Sequence, residues 1–268
     1  MKKRIFAAAI AASLVILLAA CAPQSGSNSD TATQTPSEST LQTEAVTEPV
    51  SQEDSARDAF QRALKTIHDQ LSWPALPDED GISLASPGTI EDEQFAVTDV
   101  DGDGAEELLV SIFNTYTAGM QEVIYGLDPQ TGNVRVEAQN YVGITHYPGL
   151  LKVDASHNHG YAGDVLWPYT VMVYDPESDS YRDAYIVDAW SKAIADYDPY
   201  REMPYPENID TEQDGYVYLI TENGQQRILN RTDYEAWEAQ VFAQKEPLTI
   251  PWQKITEENI AALRSDRP

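Results

Sequence analysis

The stretch "FAVTDVDGDGAEELLVSIF", Phe95 to Phe113, sets the reading of the folded part of this chain. Its two ends, "FAVT" and "LLVSIF", are short apolar runs rich in β-branched and aromatic residues, the pattern of buried strands. Between them Asp99, Asp101 and Asp103 occupy alternate positions, Gly102 and Gly104 follow the last two, and Glu107 closes the loop. Carboxylates crowded in this way repel one another unless a cation shares them. Calcium takes six to eight oxygens at about 2.3–2.6 Å in adaptable geometry. A tight loop can aim alternate carboxylates at one centre, with a backbone carbonyl at the seventh position, Ala105, adding an oxygen. The glycines permit the left-handed backbone angles that such wrapping demands.

The loop is not an EF-hand. Position twelve, counted from Asp99, is Val110, where that motif needs a bidentate glutamate, and the flanks are strands rather than helices. "DxDGDGxxE" between strands instead resembles the calcium loops of FG-GAP and VCBS repeats. The resemblance covers Phe95 to Phe113 and occurs once, too few copies for a propeller. It implies a structural calcium ion with Asp99, Asp101, Asp103, the Ala105 carbonyl and Glu107 as ligands. A partial echo, "DTEQDGYVYL", carries Asp210, Glu212, Asp214 and Gly215, lacks the first glycine, and has Tyr218 at the ninth position. It reads as a plain turn into the strand "YVYLI".

Outward from the loop, "SQEDSARDAFQRALKTIHDQLS" predicts a helix, with Ser51 and Asp54 as a capping pair and Phe60, Leu64, Ile67 and Leu71 on one face. Two prolines in "WPALPDEDG" end it. Strands are expected at Gln94 to Thr98, Leu108 to Asn114, Glu122 to Leu127 and Val134 to Gln139. "DPQTGN", "PESDS" and "TENGQ" have turn chemistry and mark hairpins. Thr232 with Glu235 forms a capping box ahead of "YEAWEAQVFAQK", and Thr256 caps "EENIAALRS". A helix, a run of antiparallel hairpins and two C-terminal helices predict a single α+β domain over residues 53–268. That length builds a core without disulfides.

The N-terminus reads as an address. Lys2, Lys3 and Arg4 precede an apolar run from Ile5 to Leu17 and then "LAAC", with Cys21 the single cysteine of the chain. These are the three parts of a secretory signal over residues 1–20, too short to span a bilayer. The "LAAC" motif resembles the lipobox of bacterial lipoproteins, which implies cleavage before Cys21 and lipid on its thiol, a diacylglycerol anchor at the outer side of the cell membrane. Residues 21–52 continue as a Ser-, Thr-, Glu- and Pro-rich tether with almost nothing to bury. It reaches roughly 30 Å r.m.s. as a flexible coil. The whole chain resembles bacterial cell-surface lipoproteins in which one aspartate-rich calcium loop sits in a small α+β domain.

The full sequence carries 17 basic and 44 acidic residues, a formal charge of −27. Cleavage before Cys21 removes three basic residues, leaving 14 against 44 and a charge of −30. Such a field repels nucleic acid and anionic membranes and attracts cations. No Gly-rich phosphate loop follows a strand and no G-x-S-x-G elbow occurs. "HNHGYAGDVLWPY" offers His157, His159 and Asp164, with His146 upstream, as a candidate site for a hydrolase acting on wall or host polymers. An H-x-H pair is short of the three or four ligands that zinc needs. The Pro- and Tyr-rich "DYDPYREMPYPEN", with Trp167, Tyr169 and Trp190 nearby in sequence, suits stacking on a glycan or protein ligand as well as it suits a core. The first expectation is therefore a calcium-stabilised surface lipoprotein that binds rather than catalyses, and the alternative is the hydrolase.

Overall fold

The computed structural model describes residues 52–76, 89–155, 159–243 and 245–263. The chain divides into two units, Met1–Thr47 and Glu48–Pro268. The signal segment, Cys21, the tether up to Ser51, and His157 lie outside the described residues, whereas Gln52, expected as the end of the tether, opens the first helix.

Period-two alternation builds the second unit. Strands β1 (Gln94–Thr98), β2 (Glu107–Ile112), β3 (Gln121–Asp128) and β4 (Asn133–Asn140) form a meander, and β13 (Gln253–Lys254) joins its edge beside β1. A second sheet runs in the order β12 (Gln225–Leu229), β11 (Tyr216–Glu222), β8 (Ser180–Ser191), β7 (Tyr169–Asp175), β6 (Leu150–Asp154) and β5 (Ile144–Tyr147). The pair β9 (Tyr197–Asp198) and β10 (Met203–Pro204) makes a third, two-stranded sheet. All pairings are antiparallel.

The two large sheets pack face to face. Ala96, Leu109, Ile124 and Ala138 on the first meet Leu151, Val153 and Met172 on the second. Helix α1 (Gln52–Gln70) covers the other face of the first sheet, where Phe60, Leu64 and Ile67 bury against Phe95, Leu108, Val110 and Val123. Each large apolar side chain so buried contributes about 1.5–3 kcal/mol by leaving water. Leu71, placed by periodicity on the same stripe, lies past the helix end with φ +52° and is exposed. Helix α2 (Arg231–Val241) covers the second sheet through Tyr234 and Trp237.

The expected α+β class with two C-terminal helices is overturned: the architecture is mostly β, three antiparallel sheets with few helices. Near the C-terminus α2 alone is long enough to cover a sheet. The segment after it is extended, anchored where Leu248 N–H donates to the His146 carbonyl, and it supplies β13. The last helical piece, α3 (Glu257–Ala262), is under two turns, although Thr256 does accept from the Asn259 N–H at 3.2 Å. The capping box at Thr232 and Glu235 is also corrected. Asn230 caps α2, its Oδ1 accepting from the Asp233 N–H at 2.7 Å.

Candidate metal centre

The β1–β2 connection is the acidic loop, and the other sheet holds it in place. The Val100 carbonyl accepts from the Gly149 N–H at 3.1 Å and from the Tyr181 hydroxyl at 3.2 Å. Gly149 lies in the β5–β6 turn and Tyr181 on β8, so the loop sits where the two sheets meet. Within the loop the carboxylates first serve the backbone. Asp99 accepts from the N–H groups of Gly102 at 2.7 Å and Gly104 at 3.1 Å. Asp101 Oδ1 accepts from Asp103 N–H, and Asp103 Oδ1 from Ala105 N–H. Gly102 and Gly104 have φ of +85° and +93°, the region the wrapping requires.

Asp99, Asp101 and Glu107 converge, each offering a ligand oxygen within 4.8 Å of the others. Two oxygens bound to one calcium at about 2.4 Å are separated by no more than about 4.8 Å, so this spacing fits the ion. The donors are all oxygens, the hard set calcium prefers. Glu107 is buried; its Oε2 accepts from the Val100 N–H at 2.9 Å. Burial pushes its carboxyl up to about 9, and Asp101, Glu137 and Asp103 push the same way. Burial likewise raises Asp101, helped by Asp103 and Asp99. Among the described residues, the buried Asp101 Oδ2 has no hydrogen-bond partner, a cost of about 1–3 kcal/mol that a cation would remove.

Among the expected ligands, Asp103 stays outside this converging group, its Oδ1 committed to its own loop. Ala105 is exposed at the rim of an adjoining cleft of about 600 Å³. The structure also brings in two carboxylates that the sequence reading did not single out. Asp101, Glu137 and Asp179 form a second converging group, again within 4.8 Å. Glu137 comes from β4, and Asp179 from the β7–β8 turn. Burial pushes Glu137 up to about 8 against the pull of Arg135, and Asp179, Asp101 and Asp103 add to the rise. A glutamate inside the apolar run "VRVEA" was the one available signal.

The histidine segment gathers less. His159 is half-buried, its ring packed edge-on against Trp167 at 4.3 Å, and Asp164 is exposed. Neither belongs to a converging group among the described residues. His146 lies elsewhere, on β5, buried and bonded through Nε2 to Glu122 Oε1 at 2.7 Å, a link from one sheet to the other. The partial echo behaves as a turn: Asp210 accepts from the N–H groups of Asp214 and Gly215 and leads into β11. No protein-family profile, curated protein or solved structure matches this chain.

Proposed function

We propose that this chain is a calcium-stabilised binding module of the bacterial cell envelope, held at the membrane by lipid on Cys21 and carried on a Ser-, Thr-, Glu- and Pro-rich acidic tether. One observation carries the cation reading: the buried, unpartnered Asp101 Oδ2 beside Asp99 and Glu107. Calcium would neutralise that group and lock the β1–β2 loop against the second sheet. The anchor is supported by the basic n-region, the apolar run and the "LAAC" motif. The formal charge of −30 after cleavage before Cys21 suits a compartment rich in divalent cations. A binding role is supported by the β9–β10 hairpin, which leaves Tyr197 49% and Tyr200 88% exposed, rings suited to stacking on a glycan or gripping a protein ligand.

A thermal melt of the full chain in chelator, in magnesium and in calcium tests the cation reading. Calcium at roughly a thousand times its Kd adds about 4 kcal/mol, which raises Tm by about 10 °C. Asp101→Asn is expected to lose most of that rise. Equal Tm in chelator and in calcium would refute the reading. For the anchor, mass spectrometry of the membrane-extracted protein is expected to show an N-terminus at a lipid-modified Cys21, and an uncleaved or unmodified N-terminus would count against it.

A further inference from the structure

The two carboxylate groups share Asp101 and do not merge into one. We propose that Asp101, Glu137 and Asp179 form a second cation position beside the first, with Asp101 bridging the two. This rests on the calcium reading of the Asp99–Glu107 loop and extends it.

Two buried atoms point to a ligand. Asp101 is 8% exposed and Glu137 4%, and among the described residues Asp101 Oδ2 and Glu137 Oε2 both lack a hydrogen-bond partner. Buried carboxylate oxygens are rarely left so. The fold builds the inward turn of Glu137. Register shifts on β4 so that Ile124 faces Ala138 while Tyr125 faces Val136, leaving Glu137 as the extra residue of a bulge. Gly126 on β3 makes room, since a Cβ there would overlap Glu137 Oε1. On the far side the Tyr174 hydroxyl donates to Asp179 Oδ1, which fixes Asp179.

Arg135 is already present as a cation. Its Nη2 donates to Glu137 Oε1 at 2.8 Å and pairs with Asp179. It does not satisfy Glu137 Oε2 or Asp101 Oδ2. Charge decides between a built-in and an exchangeable counter-ion. Asp101, Glu137 and Asp179 share this one guanidinium, and once ionised they leave about two negative charges that a divalent cation would offset. The donors are carboxylate oxygens with no nitrogen or sulfur, the hard set that favours calcium over zinc. Glu137 and Asp179 line the 600 Å³ cleft, so the second ion keeps a face open to solvent or to an oxygen-rich ligand.

Calcium stoichiometry, measured on the full chain by calorimetry and native mass spectrometry, tests this. Wild type is expected to bind two ions. Asp179→Asn and Glu137→Gln are expected to bind one, and Asp179 is in a surface turn, so its variant keeps the test usable if Glu137→Gln fails to fold. Terbium in the second position is expected to luminesce on tyrosine excitation through Tyr174, falling at least fivefold in Asp179→Asn. One ion in wild type overturns the proposal, whether or not Asp179→Asn weakens it, and makes Arg135 the counter-ion of its group. Two ions retained in Asp179→Asn also overturn it. No ion in wild type sinks the loop reading itself, a distinguishable failure.

Discussion

The Asp99–Glu107 loop and the Asp210–Gly215 loop have related sequences, and each feeds a strand, β2 and β11. In the second loop the protein supplies a donor for every acidic oxygen. Asp210 accepts from Asp214 N–H, Gly215 N–H and the Tyr205 hydroxyl. Asp214 accepts from Tyr216 N–H and Arg231, and Glu212 from Thr232 N–H and the Thr211 hydroxyl. The Thr232 contact holds the Glu212 carboxyl below its ordinary value. In the first loop, burial drives Glu107 and Asp101 the other way, and one oxygen of Asp101 has no donor. Alternating aspartates are therefore no signature of a metal in themselves. What separates the loops is whether the chain brings its own N–H and O–H groups to them.

The largest expected effect that would break this contrast lies in the self-sufficient loop. Asp210→Ala removes the acceptor of the Asp214 N–H, the Gly215 N–H and the Tyr205 hydroxyl at a buried site and is expected to cost about 3 kcal/mol, a fall in Tm of roughly 10 °C that is equal in calcium and in chelator. Any calcium dependence of that cost would erase the distinction. A smaller effect sharpens it through pH. Folded Glu107 and Glu137 titrate at about 9 and about 8, above the ordinary 4.5. The folded state then holds more protons than the unfolded state between these limits, so stability falls as pH rises from about 5 to 8. In chelator Tm is expected to fall across that window. Calcium favours the ionised carboxylates and is expected to abolish the slope; a flat profile in chelator would show that neither glutamate is held as described. The smallest effect is at the clamp from the second sheet. Gly149 has φ +68°, and a Cβ there would stand 2.9 Å from the Asp101 carbonyl oxygen. Gly149→Ala is expected to cost about 1–2 kcal/mol and to weaken calcium binding, read by titration, while the same measurement on a variant of the Asp210 loop stays unchanged.

Local chemistry was legible in the sequence. The β1 strand, the acidic hairpin and the α1 stripe through Ile67 follow from periodicity and turn residues alone. So does the convergence of Asp99, Asp101 and Glu107, which one tight loop can bring about. Glu137 and Asp179 were not legible, because they reach Asp101 across two other hairpins. The β4 bulge also breaks the alternation: Val134 and Val136 face α1, and Ala138 faces the other sheet. A strict period of two cannot show such a switch. The α+β class failed for a related reason. Caps and helical spacing after Asn230 are strong local signals, whereas β5, β6 and the β9–β10 and β13 pairings depend on distant partners.

The double acceptance at the Val100 carbonyl has a consequence for how the domain opens. Gly149 and Tyr181, both from the second sheet, hold a carbonyl of the first-sheet loop that would carry the ion. Loosening that loop removes contacts to both sheets together, so neither sheet has a private route to opening. Their slowest-exchanging amides should share one opening free energy, and loading the loop should slow hydrogen exchange in β2 and β6 by the same factor.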